Sequence, residues 1–250
     1  MIIFVPARKG SLRLKNKNTR LLCGAPLIAR TFHAIADAFE MTELSIGDVL
    51  VSSDDIDVIQ LAVEFGFKTA FRPDHLAGPV VTMLDVLKHH LPDFIHHEEV
   101  MVLYPTSPLR SSVHIARAFL KWQNDGAPHK TLMSVSPVYH HPFGLMRLED
   151  GILKCNHPRG EVYYRTQDTP ASYRANGAIY IIPTGLIAKE AVNTQLFCDT
   201  TMPFLMTKTD GFEIDDEDDL VIAEALIRTR ESHAESNPLE TSEAVPLVGG

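Results

Sequence analysis

The feature that most constrains the fold is a regular alternation of short apolar runs with amphipathic stretches over the first two thirds of the chain. Residues 2–7 (IIFVPA) are apolar without interruption, which is typical of a strand buried on both faces. Residues 26–39 begin with proline and place their apolar side chains on one helical face. Further strands are predicted within residues 48–55, 68–71, 99–110 and 131–138, and further helices over residues 58–65, 83–91 and 112–123, the last capped by Ser111 or Ser112. This alternation predicts a mainly parallel sheet with helices on both faces.

The alternation stops at about residue 140. Residues 140–173 contain short segments with Pro, Gly and Asn and no helical period, so we predict an inserted β-hairpin or arm. The strand and helix pattern returns at residues 176–183 and ends with a helix from about Asp216 to Arg230. Residues 231–250 are polar and aperiodic, which predicts a disordered tail. One domain over residues 1–230, interrupted by the arm, is therefore expected.

Composition excludes several classes of protein. The 250 residues carry a formal charge of -9, which argues against nucleic-acid binding over a broad basic footprint. No apolar run approaches the roughly 18 to 20 residues that cross a bilayer, and the first residues lack the features of a signal peptide. Cys23, Cys155 and Cys198 are widely spaced, as expected in a reducing compartment. We expect a cytoplasmic protein with no nucleic-acid or membrane partner.

Positive charge is concentrated in one loop after the first predicted strand, within the segment VPARKGSLRLKNKNT. Together with Arg20, which directly follows it, the segment holds six of the 23 Lys and Arg residues: Arg8, Lys9, Arg13, Lys15, Lys17 and Arg20. A loop at the carboxyl end of a strand, with Ser11 and several cations, is suited to a triphosphate, although a solvated basic surface also fits. The chain has no GxxxxGK[ST] motif and no GxGxxG at a helix start, which disfavours P-loop kinases and nicotinamide dehydrogenases.

Negative charge is concentrated in FEIDDEDDL, residues 212–220, between a predicted strand and the last helix. Carboxylates at a helix N-terminus complement the helix dipole, and that role alone explains such a cluster. They are also the hard oxygen ligands that Mg²⁺ shares with substrate phosphates. A basic loop and an acidic cluster at one sheet edge together indicate phosphoryl or nucleotidyl transfer.

Neither the histidines nor the serines predict a catalytic centre of another kind. Adjacent histidines on a helix point about 100° apart, so we interpret His89–His90 and His96–His97 as surface residues rather than zinc ligands. The His140–His141 pair leads into the arm and could approach a substrate. Ser52 and Ser53 follow an apolar strand but lack the GxSxG elbow of an α/β-hydrolase, so no nucleophile is assigned.

Six motifs in order resemble the N-acylneuraminate cytidylyltransferases, including relatives that act on bacterial nonulosonates. They are PARKGSLRLKNKN, VSSDD, FRPDHLA, PTSPLR, YRANGAIYI and EIDDEDDL, and they extend over roughly residues 1–228. The resemblance implies a Rossmann-like nucleotidyltransferase fold, a homodimer formed through the arm, and Mg²⁺ as cofactor. It also implies the reaction of CTP with a nonulosonic acid to give a CMP-sugar and pyrophosphate.

The resemblance also implies roles for particular residues. It assigns the nucleotide to Arg8, Ser11, Lys17, Asn18, Arg72 and Thr82, with Arg8, Lys17 and Asp215 as the catalytic set. It assigns the acceptor sugar to Tyr104, Thr106, Arg165, Thr166 and Asn176. Asp215 and Glu213 are the expected metal ligands.

Departures from the family pattern lie mainly on the acceptor side. Tyr104 stands where many members have Gln, Thr166 replaces an arginine, and Gly144 occupies the place of a lysine. Glu213 replaces an aspartate of the metal motif but remains an oxygen ligand. The identity of the acceptor is therefore left open. Two alternatives to the implied function also remain: a nucleotidyltransferase that acts on a different nucleotide or on a sugar-1-phosphate, and a non-catalytic nucleotide-binding module.

Overall fold

The computed structural model describes residues 1–156 and 170–236, with side chains described as far as residue 233. The strands are β1 Ile2–Pro6, β2 Leu21–Leu22, β3 Ala25–Pro26, β4 Val49–Ser53, β5 Lys68–Phe71, β6 Glu99–Val102, β7 Thr131–Pro137, β8 Met146–Glu149, β9 Ile152–Cys155, β10 Tyr173–Pro183 and β11 Thr201–Leu205. The helices are α1 Leu27–Ala38, α2 Ile56–Glu64, α3 Asp74–Ala77, α4 Met83–His89, α5 Ser112–Asp125, α6 Thr184–Ala188 and α7 Glu217–Ser236.

The central sheet has the order β11-β7-β10-β6-β1-β4-β5. Its neighbours are parallel except at β10, which runs antiparallel to both β6 and β7. The prediction of a mainly parallel α/β fold is confirmed. The reversed direction of β10 has a consequence for the site, because its first half extends past the carboxyl end of β6.

Helices cover both faces of the sheet, as predicted. Ile3 and Val5 of β1 pack with residues of α1, α2 and α5 on one face. Ile2 and Phe4 pack on the other face with residues of α4 and α6. Because successive side chains of a strand point to opposite faces, this central strand needs apolar residues at every position, which explains its uninterrupted apolar sequence.

The helix ends agree with the predictions at α5 and differ at α7. Ser111 is the N-cap residue of α5. The last helix continues to Ser236 rather than ending at Arg230, so the first residues of the predicted tail are helical. Residues 237–250 lie outside the described part of the chain, and their disorder stays a prediction. Among the described residues no helix has the length and apolar character that a membrane span requires.

The inserted arm contains a β-hairpin formed by β8 and β9. Asp150 and Gly151 make its turn with positive φ angles of 52° and 78°, which two-residue hairpin turns favour. The predicted hairpin is therefore present. Residues 157–169, the rest of the predicted arm's centre, lie outside the described residues.

Candidate active site

The basic loop and the acidic stretch meet beside the carboxyl end of β1, and buried apolar side chains bring them together. Leu14, within the basic loop, is 1% exposed and belongs to one cluster with Ile214 and with Leu220 of α7. Lys17 Nζ donates to the Ile214 carbonyl at 2.8 Å and to Asp215 Oδ1 at 3.2 Å. Two segments about 200 residues apart in the chain therefore form one site.

A cavity of about 270 Å³ opens next to this contact. All the residues assigned to the nucleotide line it, namely Arg8, Ser11, Lys17, Asn18, Arg72 and Thr82. They come from the loop after β1, the residue after β5 and the start of α4. Tyr104 and Thr106, from the loop after β6, complete the wall. The structure thus gathers these residues at the carboxyl edge of the sheet, where open α/β sheets bind ligands.

Main-chain contacts hold several of these side chains in place. Arg8 Nη1 donates to the Ala77 carbonyl at 3.1 Å, and buried Asn18 donates through Nδ2 to the Arg8 carbonyl at 3.0 Å. The Thr82 hydroxyl donates to Asp85 Oδ2 at 2.6 Å and accepts from the Asp85 amide, so it caps α4. Its direct contact with a nucleotide stays a prediction.

Arg72 is a buried cation in this wall. It is 2% exposed, and in the described part of the chain it forms no ion pair. Burial lowers the pKa of its guanidinium to about 10, with Asp54 opposing that shift and Arg8 adding to it. The group therefore remains charged at neutral pH, in a position where little solvent screens it.

Glu213 and Asp215 are the candidate metal ligands. Burial and the neighbouring Asp215 raise the pKa of Glu213, while Thr106 donates to Glu213 Oε1 at 3.4 Å. Asp215 already pairs with Lys17 and with Arg13, each at 3.2 Å. The described residues contain no cluster of three or more ligating side chains. Two carboxylates still fit Mg²⁺, which usually binds one or two carboxylates plus substrate phosphates.

Gly177 makes room for Glu213. It lies in the bulged part of β10 with φ +71°, and a Cβ there would stand 2.9 Å from Glu213 Oε1. The glycine of the NGAIYI motif is thus required both by its backbone angle and by the carboxylate beside it.

Tyr104 separates the first cavity from a second one of about 550 Å³. The second cavity is lined by Tyr104, Met133, Val135, Tyr173, Ala175, Tyr180, Thr194, Gln195, Leu196 and Phe197. The rings of Tyr104 and Tyr180 meet edge to face at 5.8 Å. Burial and nearby Glu213 raise the pKa of Tyr180 to about 12, and burial raises that of Tyr104 further. Both phenols therefore stay protonated and can donate hydrogen bonds.

Asn176 lies apart from both cavities, fully buried at the bulge of β10. Its Oδ1 accepts from Ser134 Oγ at 2.5 Å and from the Ala178 amide at 3.2 Å, and its Nδ2 donates to Ser136 Oγ at 2.9 Å. These bonds hold the bulge in shape. Its assigned contact with the acceptor stays a prediction, as do those of Arg165 and Thr166, which lie outside the described residues.

The interpretation of His90 as a surface residue is wrong. His90 is 2% exposed, packs against Phe4 and hydrogen bonds Ser52, because α4 ends with this side chain turned toward the sheet. Its neighbour His89 is exposed, as expected. The adjacent pair gives no periodic signal that could have distinguished the two.

Arg110 is a second buried cation that the sequence did not single out. It donates to the carbonyls of Tyr104 at 2.9 Å and Ala178 at 3.1 Å, and to the Thr31 hydroxyl at 2.7 Å. Burial lowers its pKa to about 9. It therefore links the loop that carries Tyr104 to β10 and α1.

Comparison with solved structures supports the fold. CMP:2-keto-3-deoxy-manno-octonic acid synthetase, solved as a complex with CTP, matches with a TM-score of 0.62 at 18% identity, covering 92% of this chain and 98% of that one. A 4-diphosphocytidyl-2C-methyl-D-erythritol synthase from Anaerococcus prevotii matches with a TM-score of 0.57 at 14% identity, covering 91% of this chain and 96% of that one.

Comparison of sequences identifies the family. N-acylneuraminate cytidylyltransferase of Streptococcus agalactiae is 31% identical over 220 residues, which are 88% of this chain and 51% of the relative. The chain thus spans about half the length of that relative. CMP-N,N'-diacetyllegionaminic acid synthase of Legionella pneumophila is 29% identical over 237 residues, 91% of this chain and 96% of the relative. The family model described as cytidylyltransferase matches residues 2–224, and the chain therefore belongs to the cytidylyltransferase family.

Proposed function

We propose that this chain transfers the cytidylyl group of CTP to the anomeric hydroxyl of a nonulosonic acid. The observation that carries the proposal is the convergence of Arg8, Lys17 and Arg72 on one cavity that shares its Tyr104 wall with a second cavity. The described residues that line the second cavity carry no charged side chain. Fixed cations suit a triphosphate, and an aromatic cavity beside them suits a sugar with acyl substituents. The names of the relatives support this pairing.

In the proposed reaction the acceptor oxygen attacks the α-phosphorus of CTP. The bond from that phosphorus to the bridging oxygen breaks, pyrophosphate leaves with the electron pair, and the proton of the acceptor hydroxyl is released to solvent. Negative charge grows on the phosphoryl oxygens and on the pyrophosphate, so the cations of Arg8, Lys17 and Arg72 stabilise the transition state more than the ground state. Because main-chain and side-chain bonds already hold these groups, little reorganisation is needed during the reaction.

Glu213 and Asp215 are proposed to hold Mg²⁺ together with the phosphates of the substrate. Burial and like charge raise the pKa of Glu213, and a divalent cation would relieve both effects. When bound, the ion would offset phosphate charge and help to acidify the attacking hydroxyl. Lys17 and Arg13, which pair with Asp215, would then be free to contact phosphate oxygens.

A substrate panel with pyrophosphate release as the readout tests the function. CTP is compared with UTP, GTP and ATP, and N-acetylneuraminic, legionaminic, pseudaminic and 3-deoxy-octulosonic acids serve as acceptors. We expect turnover only with CTP, Mg²⁺ and a nine-carbon keto acid. Thermal stabilisation by GTP or UTP but not CTP would reject the nucleotide assignment. Binding of CTP without product from any acceptor would favour a non-catalytic module.

We also propose that the chain forms a homodimer through the β8–β9 hairpin and works in the cytoplasm. One face of the hairpin carries Met146, Leu148 and Leu153, each at least half exposed. A surface patch of this kind is typical of an interface between chains. Sedimentation of the protein and of a Leu148→Asp variant tests the dimer, which the variant should weaken.

The proposed cytoplasmic location is supported by the cysteines, because free cysteines fit a reducing compartment.

A further inference from the structure

The cavity of about 270 Å³ that we propose for CTP is called the nucleotide cavity below. Buried hydrogen bonds connect its Arg72 to a histidine that the proposed reaction does not use. Arg72 donates to Ser52 twice, through Nε to the hydroxyl at 3.3 Å and through Nη2 to the carbonyl at 3.1 Å. The Ser52 hydroxyl is 2.9 Å from His90 Nε2, and His90 Nδ1 is 2.7 Å from Asp93 Oδ2. Ser52 is fully buried, and His90 is 2% exposed.

When His90 is neutral, only one assignment of donors and acceptors satisfies all of these hydrogen bonds. The Asp93 carboxylate accepts, so His90 carries its proton on Nδ1, and Nε2 accepts from the Ser52 hydroxyl. The Ser52 oxygen is then left to accept from Arg72 Nε. The order Asp, His, Ser also occurs in hydrolases, but here the serine is buried and its oxygen already holds Arg72, so it is not a nucleophile.

The surroundings of His90 favour its neutral form. Burial lowers the pKa of His90; Asp93 opposes that shift, and His89 and Arg72 add to it through their charge. The rings of Phe4 and Phe94 pack around the imidazole at 5.1 and 6.3 Å between centroids, and the ring of His89 lies at 5.1 Å. If His90 were protonated, its imidazolium and the guanidinium of Arg72 would be two cations on either side of the Ser52 hydroxyl.

We propose that His90 is a positioning residue for the nucleotide: it fixes the direction of the Ser52 hydroxyl, which in turn holds the guanidinium of Arg72 against the nucleotide cavity. The inference rests on the proposed function, because it takes CTP as the ligand. By accepting the hydroxyl proton of Ser52, His90 keeps the Ser52 Oγ lone pairs available to accept from Arg72 Nε.

Acidification should disturb this arrangement. A protonated His90 donates from both nitrogens, so the Ser52 oxygen would have to accept from His90 as well as from Arg72, and two positive charges would share one hydroxyl. Because the pKa of His90 is lowered from its ordinary value of 6.5, the disturbance is absent above that pH and sets in only as the pH falls through the lowered pKa. Affinity for CTP should weaken in that acid range.

The test is a double-mutant cycle measured by calorimetric titration with CTP. It uses wild type, Ser52→Ala, His90→Phe and the double variant, with the exposed neighbour His89→Phe as matched control. Each single variant should raise the Kd for CTP roughly tenfold, the value of one hydrogen bond to a charged group. The double variant should match the singles, because both remove the same connection. The control should bind like wild type.

A second measurement needs no core substitution and covers the case in which His90→Phe does not fold. The Kd of wild type is compared with that of Ser52→Ala from pH 7.5 down to the pH at which the NMR signals of the His90 imidazole show its protonation. The ratio of the two removes the titration of the CTP phosphates, which lies at about pH 6. We expect the tenfold advantage of wild type to shrink as the pH falls.

The outcomes distinguish a failure of the role proposed for His90 from a failure of the proposed CTP-dependent function. A ratio that stays constant while His90 takes up its proton, or additive effects in the cycle, would overturn the role of His90, because it would then act through packing alone. Absence of CTP binding by wild type would instead reject the proposed function.

Discussion

The two cavities on either side of Tyr104 differ in the chemistry of the side chains that line them. The first cavity, which we propose binds the nucleotide, is lined by Arg8, Lys17 and Arg72, and hydrogen bonds to protein oxygens hold each of these cations. The second cavity is lined mostly by aromatic and aliphatic side chains. Several of them, including Tyr173 and Phe197, are about half exposed. One side of the site is thus held by polar bonds, and the other is shaped by apolar surface.

This difference has a consequence for how each side tolerates change. Replacing a cation in the nucleotide cavity removes a positive charge that faces the ligand. It also leaves protein hydrogen-bond acceptors unpaired, which is costly when they are buried. Replacing an apolar side chain in the second cavity changes only its shape and contact area. We therefore expect nucleotide choice to be rigid and acceptor choice to be adjustable, which agrees with a sequence that departs from its family pattern mainly on the acceptor side.

The largest effect is expected for Lys17→Ala. The variant loses a cation at the phosphates and leaves the Ile214 carbonyl and Asp215 without this partner. We predict a fall in kcat/KM of about 10²- to 10³-fold, as for other groups that stabilise charge in a transition state. Steady-state pyrophosphate release measures it.

The matched control for that variant is Lys15→Ala, which removes an exposed lysine from the same loop. It should retain most of the activity, because its charge acts only through the local potential. Equal losses in both variants would mean that the loop works by its total charge. That result would contradict the proposal that individually fixed cations, such as Lys17, hold the nucleotide.

Much of the fold could be predicted from the sequence, as could the residues that line the proposed nucleotide cavity. Their signals are local: the apolar run of β1, the helical faces, and the basic loop directly after a strand. Other contacts between distant segments could not be predicted, because no motif or periodic pattern records them. His90 turns inward at the end of α4, and β10 reverses direction to place Gly177 beside Glu213.

The acceptor side depends most on such distant contacts. Its cavity joins β7 and β10 to a loop at residues 194–197 that no motif singled out. Asn193 holds this loop by accepting from the amides of Gln195 and Phe197 through Oδ1. The sequence therefore identified the substitution at Tyr104 but gave no indication of the surface opposite it.

Glu213→Gln should give the second largest effect. The amide keeps the size of the side chain but loses the charge that we propose holds Mg²⁺, so activity at limiting Mg²⁺ should fall roughly a hundredfold and recover partly at high Mg²⁺. The control is Glu217→Gln, which alters an exposed carboxylate of the same acidic stretch, paired with Arg20. If both variants lose activity equally, the stretch acts as helix N-terminal charge, and the metal assignment is wrong.

The smallest effect is expected for Phe197→Ala, and it tests whether the two cavities are separate. Phe197 is 46% exposed at the rim of the second cavity, so truncation removes only part of its contact area from a bound acceptor. We predict a rise of about tenfold in the KM for the acceptor, in keeping with the loss of about 1.5 kcal/mol of apolar contact, and no change in the KM for CTP. Val221→Ala, which truncates an exposed apolar residue on α7, controls for general effects on the surface. An equal rise in both KM values would show that the cavities act as one, because a side chain confined to the acceptor side cannot weaken nucleotide binding across Tyr104.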